Sequence, residues 1–245
     1  MAWYQKVVQI FKIKGIRNKI LFTLAMLVVF RIAAAVPVPG VDADALRQFL
    51  SNNQLFGLLN IFSGGGLSNL SIVMLGVGPY ITASIIIQLL TMVIPRLERL
   101  AKEEGEDGRR KINQLTRYLT IPMAALQTYS LITLLNQGPV PLVTNLSFFN
   151  FLTIIIVVTG GTVFLMWIGE LISEQGVGNG VSLIIFAGII AGIPSALRQQ
   201  LAVFDPTQIT GIVGFAAIAI VVIAGVVLIT EGQRNIPVSY AKRVR

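Results

Sequence analysis

Two chemically versatile side chains are missing from the 245 residues: there is no cysteine and no histidine. Without cysteine there is no disulfide and no thiolate metal site, and cysteine usage says nothing of redox compartment. Without histidine the commonest general base and imidazole ligand are gone. That excludes a Ser/His protease, a rhomboid-like dyad and a His-ligated zinc site. Charge is scarce too, at 12% of residues against 54% hydrophobic, with a mean hydropathy of +0.78. Such a chain is solvated mostly by lipid, so the composition describes an integral membrane protein. Acids are outnumbered 11 to 19 by lysine and arginine, for a net charge of +8. In a soluble domain that excess suggests nucleic acid; in a membrane protein its placement along the chain is more informative.

Six apolar runs read as spans, since roughly 20 helical residues cross a hydrocarbon core about 30 Å thick. They are Ile20 to Val36, Ile72 to Ile94, Leu119 to Leu135, Phe151 to Ile172, the shorter Val181 to Leu197, kinked or ended by Pro194, and Ile209 to Thr230. Before the first run, Lys6, Lys12, Lys14, Arg17 and Lys19 occur with no acid, while Trp3, Tyr4, Val7, Val8 and Phe11 share a helical face. That suits a short helix lying among headgroups. The basic start, the apolar run and Ala33, Ala34 and Ala35 also fit a cleavable signal peptide. Arg31 inside the run and the five apolar segments that follow favour a retained span, ended at Pro37 and Pro39. An intramembrane arginine costs about 2.5–3.5 kcal/mol on insertion scales, so Arg31 belongs near an end, snorkelling or paired.

The stretch before the second span is unusual. Leu55 to Leu70 is apolar yet broken by Ser63, by Gly64, Gly65 and Gly66, and by Ser68 and Asn69. A glycine triplet makes helix costly, and unpaired backbone in lipid costs several kcal/mol, on the order given for burying an amide without a partner. Such a segment either folds into protein beside a cavity or forms an external hairpin on the bilayer surface.

Pro95 to Arg117 carries seven basic and five acidic residues and reads as a solvated loop. The third span then has Thr116 and Thr120 near its start and Pro122 in its first turns, where proline is tolerated. Asn136 to Asn150, with Pro139 and Pro141, is an uncharged turn; Gly160 and Gly161 in the fourth span allow close helix approach. Gly169 to Gly180 is glycine-rich and holds Glu170, Ser173 and Glu174; with acids before it and no lysine after it, it reads as a reverse turn rather than a phosphate cradle. Six spans put sixteen of the nineteen basic residues on one side, leaving Arg47 and Arg198 opposite and Arg31 in the membrane. The positive-inside rule then puts both ends in the cytoplasm.

Several ordered motifs resemble one family, SecY, the central subunit of the Sec protein-conducting channel of bacterial type. VFRIAAAVPVPGVD, ending at Asp42, is similar to the end of its first span, and NIFSGGGLSNLSIVMLGVGPYITASIIIQLL, from Asn60, to its plug and second span. EGEDGRRKINQLTRY resembles its first large cytoplasmic loop, MWIGELISEQGVGNGVSLIIFAGIIAG, Met166 to Gly192, its fourth and fifth spans, and EGQRNIPVSYAKR the start of the loop after its sixth. Gln175, where the family usually has a basic residue, and Pro237, within a usually uninterrupted loop strand, depart from the pattern and weaken the carry-over of cytoplasmic contacts.

The resemblance implies an all-α integral membrane protein with six transmembrane helices: the first five-span half of the SecY inverted-repeat fold, plus the sixth span, with a broken plug and second span. It divides the chain into a cytoplasmic basic segment (1–19), the five-span half (20–197) including the plug (55–70), an external loop (198–208), the sixth span (209–230) and the start of a cytoplasmic partner-binding loop (231–245). About ten spans make the family fold, so the chain reads as an amino-terminal piece. The resemblance puts Asn60, Phe62, Ser63, Gly64, Gly65, Gly66 and Leu67 in the plug and Val77, Ile81, Val181 and Ile185 in an apolar pore ring. It puts Thr82, Ile85 and Gln88 on the lateral gate, and Arg234, Lys242, Arg243 and Arg245 in contact with the ribosome or the motor ATPase SecA. Without the motif match, ordinary span packing is the better reading of each of the four ring residues, and a positive-inside anchor explains any single one of the four cations equally. The implied partners are SecE, SecG, SecA, ribosomal RNA phosphates, secretory and membrane polypeptides with signal sequences, and the bilayer of the bacterial cytoplasmic (inner) membrane. No cofactor and no enzymatic activity are implied. Two readings compete: half of a small-solute secondary transporter, which would place ionisable residues near the midplane, and a membrane docking protein for ribosomes, which needs no ring or plug.

Overall fold

The computed structural model describes residues 13–38, 65–67, 70–136, 147–176, 178–202 and 209–232. Among these, seven helices form the architecture: α1 (Lys14–Ala35), α2 (Gly78–Val93), α3 (Pro95–Lys102), α4 (Gly105–Asn136), α5 (Phe148–Glu174), α6 (Gly180–Ala202) and α7 (Ile209–Glu231). The chain divides into two compact units, residues 1–194 and 195–245. In the first, α4 is flanked by α2, α3 and α5, and α1 packs on α5. In the second, α7 is a continuous apolar helix.

By length and composition, α1, α4, α5 and the apolar part of α7 each suffice to cross a membrane; α2 joins them only if counted with α3, and the apolar part of α6, Gly180–Pro194, is shorter. The described residues thus match the expected all-α membrane fold without reproducing six equal spans. The reasons lie in two breaks.

The first break precedes α2. The run from Ile72 was expected to be helical throughout, but residues 72–77 are turns and the helix begins at Gly78. Pro79 has no N–H for the Leu75 carbonyl, so it starts a helix and does not continue one. Gly76 takes a left-handed φ of +59°. The carbonyls of Ser71, Val73 and Leu75 accept instead from N–H groups three residues on, at 2.8–3.2 Å. This segment is pinned to the end of α1 by an antiparallel bridge between Pro37 and Ser71, with Val38 N–H donating to Leu70 O at 2.8 Å and Ile72 N–H to Val36 O at 3.0 Å. Much of its polar backbone is therefore paired inside protein. Its side chains join two cores: Leu67, Leu70 and Met74 pack with Val38, Ile132, Leu135, Ile154 and Val158, and Val73 and Val77 with Phe30, Ala33, Ala34, Leu165, Ile168, Ile172 and Ile184.

The second break is at Ile94, extended before Pro95 as the proline ring requires. The chain turns through 104° into α3. Here the expectation of a solvated loop over Pro95 to Arg117 is corrected: the stretch is α3 followed by the first turns of α4. Its charges support helix, as Glu98 with Lys102 at 2.7 Å and Glu106 with Arg110 at 3.7 Å are pairs four residues apart. Glu104 meets Lys111 at 2.7 Å across the turn. A Cβ at Gly108 would overlap the Leu100 carbonyl, so glycine lets α3 fold closely onto α4.

Because α4 starts at Gly105, Pro122 lies in its interior rather than in its first turns. It leaves the carbonyl of Tyr118 without its usual helical donor. The buried face of α4 carries Thr116, Thr120, Ala124 and Thr128. Each threonine hydroxyl donates to the carbonyl four residues back, at 2.7–3.0 Å. Small, internally satisfied side chains let neighbouring helices come close without burying an unpaired donor. Helix α6 continues through Pro194 to Ala202, beyond the expected end at Leu197.

Candidate functional site

Of the residues expected to form the apolar ring, Val77 sits at the N-cap of α2 and is 2% exposed. One turn on, Ile81 is 37% exposed. Helices α2 and α6 are brought together through α5. A Cβ at Gly180 would overlap the Gly169 carbonyl, and one at Gly169 would stand 3.0 Å from Val181 Cγ2, so α5 and α6 meet where neither carries a side chain. The intervening turn is closed by Ser173, whose Oγ donates to Gly169 O at 2.9 Å and accepts from Gly180 N–H at 2.8 Å. Gly176 and Gly178 adopt φ of +73° and +106°, which favour glycine. Asn179 caps α6, its Oδ1 accepting from Ser182 N–H at 3.2 Å. This turn directs Val181 and Ile185 towards α2.

The outcome is a cavity of about 300 Å³ lined by Tyr80, Ile81, Ser84 and Ile85 of α2, Gly169, Glu170 and Ser173 of α5, and Asn179, Val181, Ser182 and Ile185 from the start of α6. Ile81, Val181 and Ile185 thus line one cavity. Val77 does not reach it and belongs to the core behind, against which Val181 and Ile185 also pack.

Thr82, Ile85 and Gln88 have different neighbours. Each step of three residues rotates the helix face by about 60°, and the three diverge. Ile85 lines the cavity just described. Gln88 lines a second one, about 390 Å³, with Ser84, Ile87, Thr91, Ala101, Arg109, Ile112, Asn113 and Thr116. Thr82 turns to α4, its Oγ1 donating to Gly78 O at 3.1 Å and accepting from Gln127 Nε2 at 3.4 Å.

Of the expected plug residues, Gly65, Gly66 and Leu67 are described. Gly66 O accepts from Ser71 N–H at 2.8 Å, and Leu67 is 3% exposed in the core. Asn60, Phe62, Ser63 and Gly64 lie outside the described residues, as do Arg234, Lys242, Arg243 and Arg245.

Two partnerships were not legible beforehand. Arg117 Nε donates to Glu170 Oε1 at 2.6 Å, joining α4 to α5 with side-chain exposures of 45% and 20%. Gln127, a polar residue within a span, is the donor that reaches Thr82. Glu170 and Gln127 stand out in sequence as polar residues in or at the end of apolar runs, but partners 53 and 45 residues away cannot be read from spacing.

An all-α, multi-pass membrane protein with a broken span tucked into its core and an apolar wall beside it is the class these features define. A family model described as SecY matches residues 71–245. The chain is 46% identical over 249 residues to the protein translocase subunit SecY of Streptomyces scabiei, covering 96% of this chain and 56% of that protein. It is 44% identical over 241 residues to the same subunit of Mycobacterium tuberculosis (strain ATCC 25618 / H37Rv), covering 94% and 54%. It is 42% identical over 246 residues to that of Aquifex aeolicus (strain VF5), covering 96% and 56%. The chain belongs to the SecY family, and it spans about half the length of the curated relatives it matches.

Proposed function

We propose that this chain forms one wall of a protein-conducting channel that passes unfolded polypeptides across the bacterial cytoplasmic membrane and releases apolar segments sideways into lipid. The observation that carries this reading is the convergence of Ile81, Val181 and Ile185 on one cavity wall, in a chain of the SecY family. An apolar constriction excludes ions by shedding water, and aliphatic side chains yield to a passing chain without hydrogen-bonding its backbone. A polar lining would hold the substrate. Val77 supports the wall from the core, where it is 2% exposed.

Leu67 and Leu70, of the plug at residues 55–70, pack in the core, and Ser71 to Val77 lead from there into α2. Thr82, Ile85 and Gln88 of α2 belong to the lateral gate, and Thr82 also ties that helix to α4. The basic residues from Arg234 to Arg245 face the cytoplasm and serve the ribosome, through salt-dependent contacts with RNA phosphates, or the motor SecA. Both ends of the chain are cytoplasmic, SecE and SecG complete the assembly, and the energy comes from the partners.

Site-specific crosslinking tests the reading. A photoreactive group in place of Ile81, in membranes where the remaining half of the channel is co-expressed, should crosslink to a stalled secretory chain, and only when that half is present. No crosslink from an assembled, engaged complex would overturn it.

A further inference from the structure

The wall that carries Ile81 and Val181 also carries a carboxylate with a free oxygen. Glu170 lines the cavity beside Tyr80, Ser173 and Asn179. Arg117 reaches it by Nε alone, at Oε1, from a side chain that is 45% exposed and forms no part of the wall. An ionised carboxylate accepts at both oxygens, and among the described residues nothing donates to Oε2. A single-point pair lacks the forked geometry of the strong arginine–carboxylate contact, and its arginine, 45% exposed, stays in reach of water. A second cation can therefore displace Arg117 from the carboxylate. The same lining also holds the aliphatic side chains of Ile81, Ile85, Val181 and Ile185. One cavity of about 300 Å³ thus presents both a carboxylate and apolar groups.

We propose that Glu170 is the counter-charge at which this wall receives a lysine or arginine side chain of an incoming polypeptide. Arg117 yields its place on the carboxylate while apolar residues next to that cation settle against Ile81, Ile85, Val181 and Ile185. The inference rests on the channel reading and adds to it a residue that discriminates among substrates. The exchange swaps one cation for another on an unchanged carboxylate, so it requires no proton transfer and leaves no buried charge unpaired. Arg117 is in this view a competitor as well as a clamp between α4 and α5. The two members of the pair should then act in opposite directions on substrate engagement, which a structural clamp cannot do.

The experiment uses the assembled channel, with its remaining half and partners supplied, and two stalled precursors. They share an apolar segment and differ in whether lysines or glutamines precede it. Engagement is read as photocrosslinking from position 81 in the otherwise wild-type chain and in Glu170→Gln, Glu170→Asp and Arg117→Gln. Removing the carboxylate should lower engagement of the lysine-headed precursor by about tenfold, as for loss of one charge-assisted contact, and leave the glutamine-headed one within about twofold. Glu170→Asp should keep most of the discrimination. Arg117→Gln should raise lysine-headed engagement. Equal losses for both precursors in Glu170→Gln, or a loss of lysine-headed engagement in Arg117→Gln, would overturn the proposal and leave the pair as a clamp. Should Glu170→Gln fail to assemble, the sign of the Arg117→Gln effect decides by itself. Absence of any crosslink from position 81 in the otherwise wild-type chain would instead overturn the channel reading, and this inference with it.

Discussion

Gly161 of α5 meets the carbonyl of Ile72 backbone to backbone: a Cβ at that glycine would overlap the carbonyl oxygen and stand 3.3 Å from Val73 Cγ1. The non-helical approach to α2 is thereby seated on α5 at a point where neither partner can yield, since a backbone carbonyl held in a turn does not swing aside like a side chain.

Gly161→Ala should therefore lower stability by about 1–3 kcal/mol, the usual range for overpacking. The neighbouring Gly160, with nothing within 4 Å of a built Cβ, is the control. Gly160→Ala should be neutral or stabilising by up to about 1 kcal/mol through helix propensity. Thermal unfolding in detergent distinguishes the two, and equal midpoints for both variants would contradict the packing account.

Val77 and Ile81 are one turn apart and should respond differently. Val77→Ala removes two methyl groups from a fully buried site and should cost about 1.5–3 kcal/mol. Ile81→Ala, at a side chain 37% exposed, should cost under about 1 kcal/mol. In the proposed channel the order reverses for function, with Ile81→Asn admitting ions and Val77→Ala leaving the seal intact. Chemical denaturation gives the first comparison and ion conductance of the reconstituted complex gives the second.

The direction of α6 depends on its cap. Asn179→Ala removes the acceptor of the Ser182 amide and should cost about 0.5–2 kcal/mol, while Asn179→Asp should retain most of it. Hydrogen exchange at Ser182 should speed up in the alanine variant alone. Unchanged exchange in both would mean that the turn at Gly176 to Gly180 holds the helix without its cap.

The Glu98 carboxyl is held below its usual range by the hydrogen bond from Lys102 and by that ammonium's charge, and the Lys102 ammonium is held above its usual range for the same reasons. A carboxyl lowered in the folded state lends α3 support that is present above the ordinary carboxylate range and fades as pH falls through it. The Glu98 titration followed by NMR should move up in Lys102→Met. A midpoint unaffected by that substitution would show that the pair does not form in solution.

Much of the fold was legible because lipid imposes long apolar runs and sorts charge to one side. The positions of α1, α5 and α7 follow from that rule to within a few residues at most ends. The charged stretch from Pro95 to Arg117 is mostly helical, although its charge density alone suggests a solvated loop. Spacing was the better guide: Glu98 to Lys102 and Glu106 to Arg110 recur at the helical interval. The onset of α2 at Gly78 is not legible in hydropathy, which cannot tell an apolar turn from an apolar helix; Pro79 and Gly76 are the local signals of it.

Composition and order along the chain determined the membrane class and the family, because those properties are local or are carried by contiguous motifs. Tertiary structure alone decided which residues meet. Ile81 and Val181 line one cavity, Val77 retreats into the core, Thr82 and Gln88 part company, and Arg117 finds Glu170 on another helix. The physical reason is that these relationships depend on how closely helices approach, and that is set by backbone contacts at Gly161, Gly169 and Gly180 whose partners a linear sequence does not name.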